Sequence, residues 1–462
     1  MMYPSYFTMN LLRYFLASWL IFMLVEEAVS LEEAVLHRVG YTSPLAVIKK
    51  QDSSLQLAIP HTYTSNKHLC SYNYDDSEDK NGPKEKLMIA CPAHGEKQLQ
   101  VEKNWKTGAL ATTDETKLLF LSEYKSLQKD AFCSSTDFTP SINKVEENSD
   151  DQYDHVKHCN QLHADMYEVG YSVSNDEEGK DIQFLSTYKI CYSKTEGKEA
   201  TLYSIHRIES PDLLFTDVIR ELTDYQPLWP IVHKSVLDSS LSTKKSFEGK
   251  AYFKYKFVGG DDMPSRQWRQ TTLLLFNNTA ITRNEDLFKG MIRADWYIRL
   301  YSYKRNEQLN LYSGTHQKVI QDTPPVDSFW RVILDDGGRA IILVTQHTRK
   351  ECGQDYLCGK NHQVKTYKEG GCIYTCSLDT NDNLLEVLGL PPLKITGELD
   401  FTLQTELFQR TGIIEFLDNK SFEDALLNID KDIFRNADFQ DASFQNAALF
   451  SRYAIHTELQ KN

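Results

Sequence analysis

Two short stretches hold the residue types best suited to chemistry. In "SFEGKAYFKYKF", residues 246–257, Lys250, Lys254 and Lys256 are interleaved with Tyr252, Phe253, Tyr255 and Phe257. In "NEDLFKGMIRADWYIRLYSY", residues 284–303, Asp286, Asp295, Arg293 and Arg299 ride on an apolar repeat. A lysine ammonium anchors phosphate oxygens as a point charge, and an arginine adds bidentate contacts. Tyrosine and phenylalanine between the lysines offer stacking surfaces for unpaired bases. The expected binding set is Lys250, Lys254, Lys256, Arg269, Arg293 and Arg299. The plainer reading is that the lysines solvate a strand edge.

The elements around these residues follow from their periodicity. "AYFKYKF" alternates like a strand, with Tyr252, Lys254 and Lys256 on one face and Phe253, Tyr255 and Phe257 on the other. "TTLLLFN", 271–277, is expected as a buried strand. Residues 284–303 then switch to helical spacing, with Leu287, Met291, Ala294 and Ile298 along one stripe. Residues 241–310 carry 13 Lys/Arg against 7 Asp/Glu, a local net of +6. The whole chain has a net charge of -14, so the remainder holds about -20.

At 462 residues, 41% hydrophobic and 25% charged, the chain is long enough for two to three domains. This composition excludes global disorder, collagen and a long coiled coil. Residues 1–30 resemble a signal peptide. Arg13 precedes an apolar run from Tyr14 to Val25, and Ala28-Val29-Ser30 forms a small-residue cleavage site. That run is short against the ~20 residues that span a bilayer. The expectation is a secreted, extracellular protein with no membrane segment. Residues 31–230 form a β-rich region with acidic loops in 141–180, and 396–462 form a tail. In that tail Phe434, Phe439 and Phe444 repeat five residues apart, too few times to stack a solenoid.

The nine cysteines lie beyond the leader, and an odd count leaves at least one free or bonded to another chain. Cys352, Cys358, Cys372 and Cys376 cluster and are expected as a local pair of disulfides, with zinc the alternative at Cys372 and Cys376. The group His155, His158, Cys159 and His163 has spacings a metal could use, but a disulfide at Cys159 is preferred. Glycosylation sequons stand at Asn277 and Asn419, of which Asn419 is the expected acceptor.

Taken in order, "CPAHGE", "YKICYS", "ATLYSIHRI", "RQTTLLLFNN", "LNLYSGT", "SFWRVIL" and "CIYTCSLD" resemble the secreted DNA/RNA non-specific endonucleases of insects, a ββα-metal nuclease family. The similarity covers roughly residues 45–395. It implies an α+β fold with a central antiparallel sheet, an endonuclease-like domain over 231–395, and DNA and RNA as partners. The family's signature is Arg-Gly-His, then an apolar stretch ending Asp-Phe. Here Glu248-Gly249-Lys250 runs to Lys256-Phe257, so Lys250 stands at the position of the general base. Asn277, Asp295 and Arg299 match family catalytic positions, but Leu287 stands where the helix asparagine holds magnesium. Asp286, one residue earlier, is the remaining candidate metal ligand.

A lysine with a pKa near 10.4 is about a thousandth neutral or less at pH 7, so Lys250 makes a poor base unless strongly shifted. The pattern also looks like the nucleic-acid-binding salivary proteins of tsetse. The expectation is therefore sequence-independent DNA and RNA binding with little or no catalysis. No cofactor is expected, with magnesium required only for residual activity. A weakly active metal-dependent nuclease and a secreted protein-interaction module are the alternatives.

Overall fold

In the strand Leu55–Leu57, the two leucines are buried and Gln56 between them is exposed, because successive side chains of an extended chain point to opposite faces. Strands make up two large, mainly antiparallel sheets. The computed structural model describes parts of 41–146, then 153–174, 182–193, 200–208, 253–263, parts of 268–282, 284–305, 307–316, 328–347, 363–378, 384–390, 393–403 and most of 411–421. Lys250, Arg269, Asn419, Cys352, Cys358, residues 1–30 and the repeat at Phe434 lie outside the described residues, as does the side chain of Lys254.

The described residues fall into two compact units. The first is drawn from Met1–Ala58, Asn66–Thr139 and Val173–Ile182. It holds a six-stranded sheet whose strand order is Leu55–Leu57, Leu45–Lys49, Lys86–Cys91, His94–Asn104, Ala109–Thr112 and Leu118–Leu119.

The second unit, from Ile59–Ser65, Pro140–Ser172 and Gln183–Asn462, carries the candidate site. Its strands are β1 (Ser141–Lys144), β2 (Asp165–Ser174), β3 (Ile182–Ser193), β4 (Ala200–Ile208), β5 (Phe253–Lys256), β6 (Asn278–Thr282), β7 (Leu309–His316), β8 (Ser328–Asp335), β9 (Arg339–Gln346), β10 (Val364–Thr366), β11 (Cys372–Ser377) and β12 (Gly397–Glu398). Its helices are α1 (Tyr153–Gln161), α2 (Glu285–Arg305), α3 (Leu384–Val387) and α4 (Ile413–Phe416). A ten-stranded sheet runs β1-β2-β3-β4-β7-β8-β9-β11-β10, with β12 beside β9. From β3 through β10 the pairing is antiparallel, and β12 runs parallel to its neighbour β9. The fold class is α+β. The expected domain boundary near residue 230 does not break this sheet, since β1–β4 precede it and β7–β12 follow it.

Both faces of the sheet are covered, which is why "SFWRVIL" looks like one continuous apolar run. On one face Phe329, Ile333, Ile341, Leu343 and Ile373 pack against Leu287, Met291, Ala294 and Ile298 of α2. On the other, Trp330, Val332, Ile342, Val344 and Tyr374 pack against Val156 of α1 and Leu384 of α3. Cys159 of α1 is disulfide-bonded to Cys191 of β3, which removes Cys159 from the metal group suggested by the sequence. Cys372 and Cys376 are also disulfide-bonded. Four residues apart on one strand they stand ~13 Å from each other, so each must bond a different cysteine.

Helix α2 starts where Asn284 caps it, accepting the Leu287 amide at 3.1 Å, and the expected apolar stripe is buried throughout. Its far side is covered too. Phe401, Ile413, Phe416 and Leu417 join its core, and Tyr297 donates to the Phe401 carbonyl at 2.6 Å. The sequence expectation of a tail from 396 is corrected for the described residues there: Leu399, Phe401, Leu403, Ile413, Phe416 and Leu417 belong to the core over α2.

The expected strand at 271–277 is also corrected. Leu275–Asn277 is a short 3-10 helix, and the strand is β6, one step later. Side chains of the sheet take the carbonyls a strand would need. Tyr188 donates to the Thr271 carbonyl at 2.7 Å and Thr201 to the Phe276 carbonyl at 2.7 Å.

Candidate nucleic-acid interface and the charge cluster beneath it

Strand β5 pairs antiparallel with β6, with Lys254 opposite Ala280, Tyr255 opposite Thr279 and Lys256 opposite Asn278. Helix α2 follows β6 directly, so the three elements form a β-β-α unit. The alternation read from "AYFKYKF" holds where it is described: Tyr255 and Phe257 are buried, and Lys256 is half-buried. Tyr255 meets Phe329 and Phe288 edge-on, and Phe257 packs on Phe329. The expectation that aromatic rings of this stretch stack on bases is therefore corrected for Tyr255 and Phe257, which serve the core.

Beneath β5 lies a cluster of buried ionisable groups from four elements. Arg331 of β8, 2% exposed, pairs with Asp295 of α2, and the Tyr255 hydroxyl donates to the other oxygen of the same carboxylate. The Arg331 guanidinium also lies 5.3 Å from the centre of the Tyr255 ring and 5.6 Å from that of Phe329, and donates to the Lys256 carbonyl at 3.3 Å.

One turn along α2, Arg299 Nε donates to Asp262 Oδ1 at 2.9 Å. His206 Nε2 of β4 stands 3.0 Å from Asp262 Oδ2, and the Gly259 amide donates to that oxygen at 3.2 Å. A Cβ on Gly259 would come within 2.8 Å of this oxygen, so the close approach needs glycine.

The protonation states follow from these contacts. Burial works against ionising Asp262, but Arg299 and His206 hold it well below the usual carboxylate range. Burial lowers the His206 pKa against the pull of Asp262. Burial raises Asp295 to about 6, opposed by Arg331. Two carboxylates thus face two guanidiniums, and the cluster is close to neutral within itself.

The residues expected at the site divide accordingly. Arg299, 5% exposed, and Asp295, 6% exposed, face the interior and are taken up by Asp262 and Arg331. This corrects the placing of Arg299 on a solvent-facing basic surface. Arg293 is half-buried, with Nη1 donating to the Leu417 carbonyl at 3.1 Å.

Asn277 is fully buried. Its amide nitrogen donates to the carbonyls of Val258 and Thr272, both at 2.9 Å, and its oxygen accepts the Val258 amide at 2.9 Å. It clamps the end of β5 to the segment before β6, and its engaged nitrogen leaves no room for a glycan. His206, Asp262 and Arg331 were not anticipated, nor was the bond from Tyr255 to Asp295. The signal was an arginine within the apolar run "SFWRVIL", since a charge on a strand buried on both faces demands a partner.

Among the described residues, the donors at this end of α2 do not fit magnesium. Leu287, where the sequence resemblance expects an amide ligand, is wholly buried in apolar contacts. Asp286 is exposed beside it in the first turn of α2, and Asp295 is committed to Arg331 and Tyr255. A one-residue register shift bringing Asp286 inward would expel the stripe that holds the helix, so that expectation is corrected. Among the described residues no group of three or more His, Cys, Asp or Glu stands together as a metal site, and no helix is long and apolar enough to cross a membrane.

Comparison of the sequence finds no matching family model and no matching curated protein.

Proposed function

We propose that this is a secreted protein that binds DNA and RNA without sequence preference, on a nuclease-like β-β-α scaffold that has lost the means to cleave. The observation that carries the reading is the commitment of Asp295 and Arg299. These acidic and basic side chains, at positions where the resembled family does chemistry, are closed into ion pairs beneath β5. With Leu287 in the core, this arrangement supplies no ligand for a metal at that end of α2. What β5 contributes is charge: it carries Lys254 and Lys256 at alternate positions, with Lys250 before it in the sequence. Lysines in such a row hold phosphate oxygens, which carry no sequence information.

The test uses one purified sample in two assays: gel shift with DNA and with RNA, and plasmid nicking with and without magnesium. Shifted complexes of both nucleic acids, with plasmid left intact under both conditions, are expected. Digestion at rates near those of ordinary secreted nucleases would return the chain to the active enzymes. No shift with either nucleic acid would leave a protein-interaction module.

A further inference from the structure

Strand β5 is attached to the sheet and to α2 by charged and polar groups as well as by apolar packing. Arg331 reaches the Lys256 carbonyl at 3.3 Å and covers the Tyr255 ring, while its partner Asp295 accepts from the Tyr255 hydroxyl. Three attachments therefore converge on two successive residues of the lysine strand. A buried pair of this kind is a weak source of stability, because desolvation offsets the attraction and apolar residues of like volume often pack as well. What it supplies is direction. A guanidinium presents its donors in a fixed planar fork, here shared between a helix carboxylate and a strand carbonyl.

We infer that Arg331, oriented by Asp295 and Tyr255, is a positioning residue that sets the height and register of β5, and so places Lys256 and its neighbours for phosphate. The inference rests on the nucleic-acid reading above.

A double-mutant cycle between Tyr255 and Lys256 tests it. Tyr255→Phe removes one hydroxyl and keeps the ring in the core. Binding of a 20-nucleotide single-stranded DNA and of a 20-base-pair duplex is followed by fluorescence anisotropy. The variants are wild type, Tyr255→Phe, Lys256→Ala and the pair together, with amide hydrogen exchange over residues 253–258 measured alongside. Tyr255→Phe is expected to weaken binding about threefold to tenfold, and the double variant to bind no more weakly than Lys256→Ala. Exchange in β5 is expected to quicken about tenfold while the rest of the sheet stays protected. Arg331→Lys, which keeps the charge and loses the fork, is expected to behave like Tyr255→Phe or worse.

Additive losses in the cycle overturn the inference, and so does unchanged exchange in β5. If the wild type binds neither probe, the nucleic-acid reading falls and the exchange result alone decides whether the clamp exists.

Discussion

Leu287 is the residue at which the nuclease pattern and the packing disagree. Its side chain is fully buried, and a Cβ added to Gly371 would meet its Cδ2 at 2.6 Å, so nothing larger or wetter fits. An asparagine at this position would set an amide among Phe288, Met291 and Ile373. Leu287→Asn is expected to cost about 3 to 5 kcal/mol, read by urea denaturation, and to leave plasmid nicking where it was. A loss under 1 kcal/mol would show that the site accommodates a polar group.

Asp295 makes the complementary case. Asp295→Asn leaves Arg331 buried without its counter-charge and is expected to cost about 3 to 5 kcal/mol. Adding Arg331→Met in the same chain should recover much of that loss. Double-variant stability equal to the sum of the single losses would show that the two residues act independently.

At the scale of elements, α1 and the lysine strand each support a measurement. The Cys159–Cys191 bridge ties α1 to β3 across 32 residues of sequence. Closing a loop of that length restricts the unfolded chain by about 3 to 4 kcal/mol. Cys159→Ser is expected to lower stability by that amount; a change within error would mean that the packing of Val156 already holds the helix. For β5 the measurement is the salt dependence of binding. Each phosphate neutralised on duplex DNA contributes about -0.9 to the slope of log K against log salt. Replacing Lys250, Lys254 and Lys256 by alanine should therefore flatten the slope by up to about 3 and weaken all sequences alike. Wild-type affinity in the triple variant at every salt concentration would make these lysines ordinary surface.

For the whole molecule, buried histidines make stability depend on acidity. Burial lowers the pKa of His206, and that of His347 to about 3. Below about pH 6.5 the unfolded chain takes up protons that these folded rings refuse, so stability falls as pH falls, by up to about 1.4 kcal/mol per unit for each ring. Asp295 acts with the opposite sign. Its folded pKa of about 6 lies above its unfolded value, so the folded state gains a proton first and offsets one histidine between about pH 6 and pH 4. Asp262, held low, adds a further loss only below about pH 4. Denaturation at stepped pH is expected to show a smaller loss from pH 6 to pH 4 in His347→Gln than in the wild type. Equal losses in the two would mean that His347 protonates in place.

The sequence alone determined the elements whose pattern is local. The apolar stripe of α2 is written every three to four residues from Leu287 to Ile298, and the inward set Tyr255 and Phe257 every second residue, so either can be read without a neighbour. Asp295 and Arg299 stood out only through the family resemblance, by their places on that helix. The tertiary structure decided what those charges do. Asp262 reaches Arg299 from 37 residues away and Arg331 reaches Asp295 from 36, and no periodicity records such partners. It also decided the fate of 271–277. The apolar run fits a strand, but Tyr188 and Thr201 from distant strands take its carbonyls and Asn277 turns inward, leaving the ladder to start one residue later. An isolated segment carries its hydrophobic period within itself, whereas the pairing of a buried charge or carbonyl depends on whichever element the fold lays against it.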